Sequence, residues 1–252
     1  MSKKTLEGRV ALITGGSRGL GKAMALALAS DGAALALVAR DAAKLAETAV
    51  EARALGVRVD TFLADVTSED QVAALQKQVA DQLGQVHILI NNAGINIRKQ
   101  IHEFSLEEWR RVVDTNLTSV FLLCRAFVPQ MKGAGYGRII NLTSIMSHVS
   151  LPGRTAYSST KTALLGLTRA LALELASEGI TVVGISPGPF ATEMNVPVIQ
   201  NPELNAQFVA KIPLGRWGRV EEVGALARFI CSEDAGFITG TDILIDGGWC
   251  AQ

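Results

Sequence analysis

The sequence predicts one doubly wound α/β domain, and three observations support this prediction. Short, nearly continuous apolar runs recur from Val10 to Ile245, as expected of strands that helices cover on both faces. Longer segments of helical composition lie between these runs, and repeated β-α-β units imply crossover connections and a mainly parallel sheet. No Pro-, Ser- or Gln-rich linker divides the 252 residues. We therefore expect a single domain over residues 1–252.

The elements follow in chain order. The predicted strands are Val10–Thr14, Ala34–Ala39, Arg58–Leu63, Ile88–Asn91, Arg138–Leu142, Thr181–Ile185 and Asp242–Ile245. The predicted helices are Leu20–Ser30, Ala42–Leu55, Ser68–Leu83, Leu106–Met131, Ala156–Ser177 and Glu221–Cys231. Glycines directly follow five helical segments, where a C-terminal glycine is favoured: Gly32, Gly56, Gly84, Gly133 and Gly179. Residues 190–214 interrupt the alternation with a long, proline-containing segment, which we predict to be an irregular, lid-like insertion.

The composition argues against several classes of function. The 24 acidic and 24 basic residues cancel, so no overall field favours nucleic acid or an anionic membrane, and neither is expected as a partner. The three cysteines and three histidines are scattered and show no metal-ligand spacing, so no metal is expected. The polar N-terminus and the absence of an apolar run near the ~18 residues needed to span a bilayer predict a cytoplasmic protein.

A glycine-rich turn joins the first predicted strand to the first predicted helix. Gly15, Gly19 and Gly21 have the spacing G-x-x-x-G-x-G, with Ser17, Arg18 and Leu20 between them. Glycines allow the backbone to turn tightly and to approach a pyrophosphate, whose charge is favourable at a helix N-terminus. In this strand–turn–helix context the motif predicts a dinucleotide site rather than an ordinary tight turn.

The residues after the second strand favour NADP(H) over NAD(H). A site that prefers NAD usually has a carboxylate at this point to bind the ribose 2′-hydroxyl. Here Ala39 ends the strand and Arg40 follows, while Arg18 lies in the glycine turn. Two guanidinium groups suit a 2′-phosphate. Asp41 remains open between two interpretations, a helix N-cap and a displaced ribose ligand.

Three residues suggest acid–base chemistry on an oxygen. Tyr157 and Lys161 are four residues apart in a helical segment and therefore project from one face. A phenol with a reference pKa of about 10 is a poor acid–base group near neutrality, but a neighbouring ammonium stabilises the phenolate. Ser144, just past a predicted strand, could hydrogen-bond a substrate oxygen. The combination with the glycine turn is far more specific than the Tyr-x-x-x-Lys pair alone.

With these motifs the sequence resembles the short-chain dehydrogenase/reductase family over essentially its whole length. The matching segments are Thr14–Gly21, Asn91-Asn92-Ala93-Gly94, Thr115-Asn116-Leu117, Ser144, Tyr157–Lys161, Pro187-Gly188 and Asp246-Gly247-Gly248. The resemblance implies an enzyme with a seven-stranded Rossmann-type sheet of order 3-2-1-4-5-6-7. It also implies a homotetramer, assembled through the two long helices and the C-terminal strand.

The resemblance implies roles for individual residues. Tyr157 would exchange a proton with the substrate oxygen, Ser144 would polarise that oxygen, and Lys161 would bind the nicotinamide ribose and lower the pKa of Tyr157. Asn116 would hold a water that links Lys161 to solvent. The remaining cofactor contacts would come from Asp65 and Val66 after the third strand, from Asn92, Ala93 and Gly94, and from Pro187, Gly188, Phe190 and Thr192.

The substrate is less clearly indicated. Arg98 and Arg154 could anchor a carboxylate, or they could be ordinary solvated arginines. Within the family the chain is most similar to gluconate 5-dehydrogenases and 2-deoxygluconate 3-dehydrogenases, which implies NADP(H)-dependent interconversion of a secondary alcohol and a ketone by hydride transfer, with a sugar acid as substrate. A 3-oxoacyl-[acyl-carrier-protein] reductase is the main alternative. Arg138 matches one basic carrier-docking position of that group, but Glu178 replaces a second.

Two further functions are compatible with the sequence. A general ketone or aldehyde reductase would share the same motifs. A dinucleotide sensor without catalytic activity is the remote alternative, since a fold alone does not establish a function.

Overall fold

The computed structural model describes residues 4–252 and shows one seven-stranded sheet. The strands are β1 (Val10–Thr14), β2 (Ala34–Ala39), β3 (Val59–Leu63), β4 (Ile88–Asn91), β5 (Gly137–Leu142), β6 (Ile180–Pro187) and β7 (Thr241–Ile245). All neighbouring pairs are parallel, and the order is β3-β2-β1-β4-β5-β6-β7. The predicted fold class and strand order are confirmed.

Helices cover both faces of the sheet. They are α1 (Gly19–Ser30), α2 (Ala42–Arg53), α3 (Glu69–Leu83), α4 (Leu106–Val113), α5 (Ser119–Met131), α6 (Thr155–Leu175), α7 (Val196–Ile199), α8 (Pro202–Val209) and α9 (Val220–Cys231). The predicted segment 106–131 is helical throughout, but a π-helical turn, Asp114–Thr118, separates α4 from α5. The five glycines predicted to follow helices all have positive φ, from 70° to 98°, as C-terminal positions favour.

Alternation along the strands divides the core between the two faces. Along β1, Ala11 and Ile13 pack with α1, α2 and α9 on one face, whereas Val10 and Leu12 pack with α3, α5 and α6 on the other. Burial of a Leu or Ile side chain stabilises the fold by about 1.5–3 kcal/mol. Because every strand is parallel, the carboxyl ends of all seven meet at one edge, and the crevice there opens where the order reverses between β1 and β4.

The segment 190–214 is more ordered than the sequence suggests. It contains α7 and α8, so it is helical where the sequence predicts irregular structure, and its lid-like role stays a prediction. The side chain of Asn201 accepts a hydrogen bond from the Leu204 amide and Pro202 occupies the first turn, so this proline begins a helix instead of interrupting one. Phe208 of α8 stacks on Trp217 with ring centroids 4.9 Å apart and contacts Trp249 at 5.4 Å, which ties the segment to the body of the domain.

The helical stretch from Leu106 to Met131 is long and apolar enough to cross a membrane by length and composition alone. Leu123 and Phe127 of this stretch are fully buried against the sheet. Its apolar composition is therefore that of a core helix.

Candidate active site

The glycine turn lies at the carboxyl edge of the sheet and leaves the N-terminus of α1 open. Gly15 and Gly19 have φ of +64° and +53°, a region that favours glycine. A Cβ on Gly21 would lie 2.2 Å from the Gly15 carbonyl oxygen, so only glycine lets α1 start this close to the turn. The N-cap residue Arg18 makes no side-chain cap, and the described residues offer the first-turn amides of α1 no acceptor. This geometry fits a pyrophosphate group.

Thr14 and Asn92 brace this turn against the end of β4. The Thr14 hydroxyl accepts hydrogen bonds from the amides of Asn92 at 3.0 Å and Ala93 at 3.1 Å. In return, Nδ2 of Asn92 donates to the carbonyls of Thr14 at 2.8 Å and Gly15 at 3.2 Å. This role of Thr14 was not predicted, although a hydroxyl at the end of an otherwise apolar, buried strand is a sign of it in the sequence.

The ends of β2 and β3 bring a guanidinium and a carboxylate together. Arg40 is exposed, and its Nη1 lies 3.7 Å from Oδ2 of Asp65. Hydrogen bonds from Thr67 are the main reason why the pKa of Asp65 lies below its usual range. Asp41 accepts a hydrogen bond from the Lys44 amide and caps α2. Of the two interpretations of Asp41, the structure therefore supports the N-cap. Val66 is buried directly after Asp65.

The predicted catalytic residues converge at the neighbouring strand ends. Ser144 follows β5, and Tyr157 and Lys161 lie one turn apart on α6. Lys161 is only 5% exposed, donates a hydrogen bond to the Leu142 carbonyl, and has its Nζ 5.7 Å from the centroid of the Tyr157 ring. A Cβ on Gly94 would lie 3.6 Å from this Nζ, so the Gly94 backbone borders the same space.

Burial dominates the electrostatics of this pair. It lowers the pKa of Lys161 to about 8. It also raises the pKa of Tyr157, although interaction with the Ser144 hydroxyl and the positive charge of Arg154 oppose the rise. In the chain alone, the pKa of Tyr157 is therefore raised, whereas the sequence predicts that Lys161 lowers it. Loss of hydration disfavours the phenolate more than the nearby groups favour it.

Asn116 lies in the π-helical turn between α4 and α5. Its Oδ1 accepts from the Ile95 amide at 2.8 Å, and its Nδ2 donates to the Ile95 carbonyl at 2.9 Å and to Thr160 Oγ1 at 3.2 Å. The asparagine thus ties the loop after β4 to α6, directly beside Lys161. π-Helical turns occur frequently at functional sites, but no residue pattern predicted this one.

Arg98 and Arg154 lie close enough to each other to interact. Burial lowers the pKa of Arg154, the charge of Arg98 lowers it further, and Tyr157 acts in the opposite direction. A Cβ on Gly153 would lie 3.7 Å from the Lys99 backbone, so the two loops touch. Within residues 4–252, neither arginine forms an ion pair with a carboxylate, whereas Lys99 pairs with Glu108. Arg154 is close enough to affect the pKa of Tyr157, and the charge of Arg98 acts on Arg154 from the neighbouring loop.

The segment after β6, residues 188–193, passes close to the glycine turn. A Cβ on Gly188 would lie 2.6 Å from the Asp246 Cα, and Phe190 is buried against Gly218. Thr192 and Glu193 then approach Gly19, where a Cβ would lie 3.5 Å from a carboxylate oxygen of Glu193. The residues predicted to border the nicotinamide end, Pro187 to Thr192, therefore lie on the same side of the sheet as the glycine turn and Tyr157.

Two residues at the edge of the site make specific contacts within the fold. The Nε2 of His148 lies 2.8 Å from Oδ2 of Asp242 on β7. Arg138 is 4% exposed, donates to the carbonyls of Gly137 and Ser232, and stacks on the Tyr136 ring. Within the described residues 4–252 no group of three or more potential metal ligands lies together.

Comparison with known proteins agrees with this geometry. Residues 15–250 match the family model described as enoyl-(acyl carrier protein) reductase, a model of short-chain dehydrogenases. The chain is 36% identical to a gluconate 5-dehydrogenase of Gluconobacter oxydans, over 97% of this chain and 95% of that protein. It is 40% identical to a 3-oxoacyl-[acyl-carrier-protein] reductase of Pseudomonas aeruginosa, over 97% of this chain and 98% of that protein. The chain belongs to the short-chain dehydrogenase/reductase family.

Membership makes the chain an oxidoreductase of a family that binds a nicotinamide dinucleotide. A solved short-chain dehydrogenase agrees closely in backbone: the gluconate 5-dehydrogenase of Burkholderia cenocepacia, in complex with NADP and tartrate, superposes with a TM-score of 0.93 at 34% identity. That comparison covers 99% of this chain and 98% of that structure. The relatives named for sugar-acid oxidation and those named for acyl-carrier substrates are similarly distant, so the choice between substrates depends on the site itself.

Proposed function

We propose that this short-chain dehydrogenase is NADP(H)-dependent and interconverts a secondary alcohol and a ketone on a sugar acid such as gluconate or 5-ketogluconate. The observation behind the substrate class is the pair of neighbouring guanidinium groups, Arg98 and Arg154, of which Arg154 lies close to Tyr157. A substrate carboxylate would offset part of their combined charge and accept forked hydrogen bonds. The complex of the Burkholderia enzyme with tartrate, itself a hydroxy acid, supports the same class.

The residues around the substrate oxygen have different roles in the reaction. Bound nicotinamide supplies or accepts the hydride. Because burial raises the pKa of Tyr157, the phenol is protonated near neutrality and can donate its proton as a ketone is reduced. The Ser144 hydroxyl polarises the same oxygen. Lys161, held by the Leu142 carbonyl, contributes a positive charge that stabilises the phenolate once the proton has left.

The preference for NADP(H) is proposed from the charges at the adenosine end. Arg40 and Arg18 are exposed near the end of β2, where they suit a phosphate on the 2′-oxygen. Asp41, the nearest carboxylate in the sequence, is engaged as the cap of α2 and would not compete for the ribose. The NADP found in the Burkholderia complex is consistent with this assignment.

The second candidate is reduction of a 3-oxoacyl group on a carrier protein, which the 40% identical Pseudomonas relative favours. Two observations argue against docking of an acidic carrier. The Arg138 guanidinium is buried and already bonded to carbonyls, so it is not available at the surface. Glu178 is acidic and lies 3.9 Å from Lys132, which neutralises one of the nearby positive charges.

We also propose a homotetramer. Phe121 of α5, Leu173 of α6 and Leu244 of β7 expose 49%, 84% and 42% of their surface. Large apolar side chains on the two long helices and on the edge strand suit contacts between copies of the chain. Light scattering of Leu173→Asp beside the wild type tests this: a smaller mass for the variant supports the assembly, and a monomeric wild type refutes it.

The substrate proposal is tested by replacing one guanidinium. Arg154→Gln should raise KM for 5-ketogluconate about 10- to 100-fold, the equivalent of one lost charge-assisted hydrogen bond, and leave KM for an uncharged aryl ketone unchanged. Arg228→Gln, on the exposed surface of α9, is the matched control. Equal effects on both substrates would refute a carboxylate anchor, and turnover of an acetoacetyl thioester alone would favour the second candidate.

A further inference from the structure

The turn that carries Ser144 is held from behind by a carboxylate of the edge strand. Asp242 of β7 has a side chain only 9% exposed. Its Oδ1 accepts a hydrogen bond from Thr143 Oγ1 at 2.5 Å, and its Oδ2 lies 2.8 Å from His148 Nε2. An ionised carboxylate only accepts hydrogen bonds, so this imidazole nitrogen is the donor.

The two partners of this carboxylate flank the catalytic turn. Thr143 immediately precedes Ser144, and His148 immediately follows the single 3₁₀ turn Ile145–Ser147. The Ser144 hydroxyl oxygen accepts from the Met146 amide at 3.1 Å and caps the same turn. One carboxylate therefore fixes both ends of a segment whose first residue is Ser144.

Ser186 of β6 connects the carboxylate to the backbone of Ser144. Its hydroxyl donates to the Ser144 carbonyl at 3.0 Å and lies 2.9 Å from Thr143 Oγ1. The chain of contacts runs from His148 through Asp242, Thr143 and Ser186 and ends on that carbonyl oxygen. A carbonyl oxygen is not a proton carrier near neutrality, so this network can position the turn but is not suited to conducting protons.

Strand β6, which lies between β5 and β7, has a glycine where the Asp242 carboxylate passes. Gly184 lies opposite Asp242 in the register of β6 and β7. A Cβ at position 184 would lie 2.1 Å from Asp242 Oδ1, so any other residue there would displace the carboxylate. Glycine weakens a strand interior and often marks a close approach by another group, which here is the side chain of Asp242.

We propose that Asp242 and His148 are positioning residues for the reaction: together they hold the Ser144 turn in the orientation in which its hydroxyl meets the substrate oxygen. This inference rests on the proposed role of Ser144. It predicts that loss of the contact slows the chemical step and leaves dinucleotide binding intact, because the glycine turn lies across β1 and β4, away from β7.

The test compares Asp242→Ala, His148→Ala and His148→Gln with the wild type. The readouts are kcat with 5-ketogluconate at saturating NADPH, the isotope effect from NADPH deuterated at the transferred position, and the NADPH dissociation constant from fluorescence. Displacement of a reacting group by about 1 Å can cost about 100-fold in rate, so we expect kcat to fall about 10- to 100-fold in both alanine variants. The isotope effect should rise, with the dissociation constant within about twofold of the wild type.

His148→Gln distinguishes positioning from a general loss of structure. Its carboxamide can donate to the same carboxylate oxygen, so it should recover most of the lost kcat. Asp60→Ala is the matched control for Asp242→Ala, because Asp60 is a strand carboxylate on the opposite edge, 3.2 Å from Arg58 and remote from the site. His148 is partly exposed, so its variants give a result even if Asp242→Ala fails to fold.

The outcomes separate this inference from the proposed function. An unchanged kcat in His148→Ala, or a loss that glutamine does not restore, overturns the positioning role. If Ser144→Ala itself keeps full turnover, the assignment of Ser144 fails first and the positioning role fails with it. A slow Ser144→Ala beside unaffected Asp242 and His148 variants refutes only the inference.

Discussion

Replacement of Lys161 by methionine should change the stability of the fold by an amount that depends on pH, and it should remove activity. Burial lowers the pKa of Lys161 from 10.5 to about 8. Each pKa unit corresponds to about 1.4 kcal/mol, so the buried ammonium costs the folded state about 3 kcal/mol at pH 7. Methionine has a similar length and carries no charge. It also leaves the Leu142 carbonyl without its donor, which costs about 1–3 kcal/mol at any pH.

The pH dependence isolates the charge from these other effects. Between about pH 8 and 10.5 the unfolded chain retains a proton on Lys161 that the folded chain has released, so raising the pH stabilises the wild type. The methionine variant lacks this contribution. From pH 7 to pH 9.5 the wild type should therefore gain about 2 kcal/mol relative to Lys161→Met. The unsatisfied carbonyl cancels in this comparison because its cost does not change with pH.

Urea unfolding followed by tryptophan fluorescence measures this difference, since the chain has three tryptophans. Wild type and variant are compared at equal protein concentration, because association would shift both midpoints. Lys77→Met is the control: Lys77 is exposed on α3, and its ammonium remains in water in both states. A wild-type-minus-variant difference that stays constant from pH 7 to 9.5 would show that Lys161 is hydrated in the folded protein and would refute the reasoning.

Three further predictions concern the cofactor and the proton. Tyr157→Phe should bind NADPH with unchanged affinity in a fluorescence titration and lose about 10²- to 10⁴-fold in kcat; undiminished turnover would end its acid–base role. Arg40→Ala should weaken NADPH about 10- to 100-fold and NADH hardly at all, and equal weakening would mean that Arg40 does not meet the 2′-phosphate. Gly21→Ala places a Cβ 2.2 Å from a carbonyl oxygen, so it should cost about 1–3 kcal/mol in urea unfolding and abolish dinucleotide binding; a variant that still binds NADPH normally would contradict the need for close approach.

Local sequence was sufficient for the architecture. Apolar runs, helix-ending glycines and the glycine turn each depend on residues within a few positions of one another, and β1, β2 and β4 have the predicted bounds. The irregular structure predicted for residues 190–214, where the protein has α7 and α8, was also inferred from local sequence. Proline was interpreted as a helix breaker, although at Pro202, after the capping residue Asn201, it starts a helix.

The structure decided what depends on residues far apart in the chain. The sequence by itself determined the α/β fold class and the glycine turn, because periodicity and spacing encode them, and it singled out Ser144, Tyr157 and Lys161 as candidate catalytic residues. It could not show that Arg138 is buried, or that Asp242 reaches across 94 residues to His148. Burial and long-range hydrogen bonding are properties of packed neighbours, and only the tertiary structure brings those neighbours together.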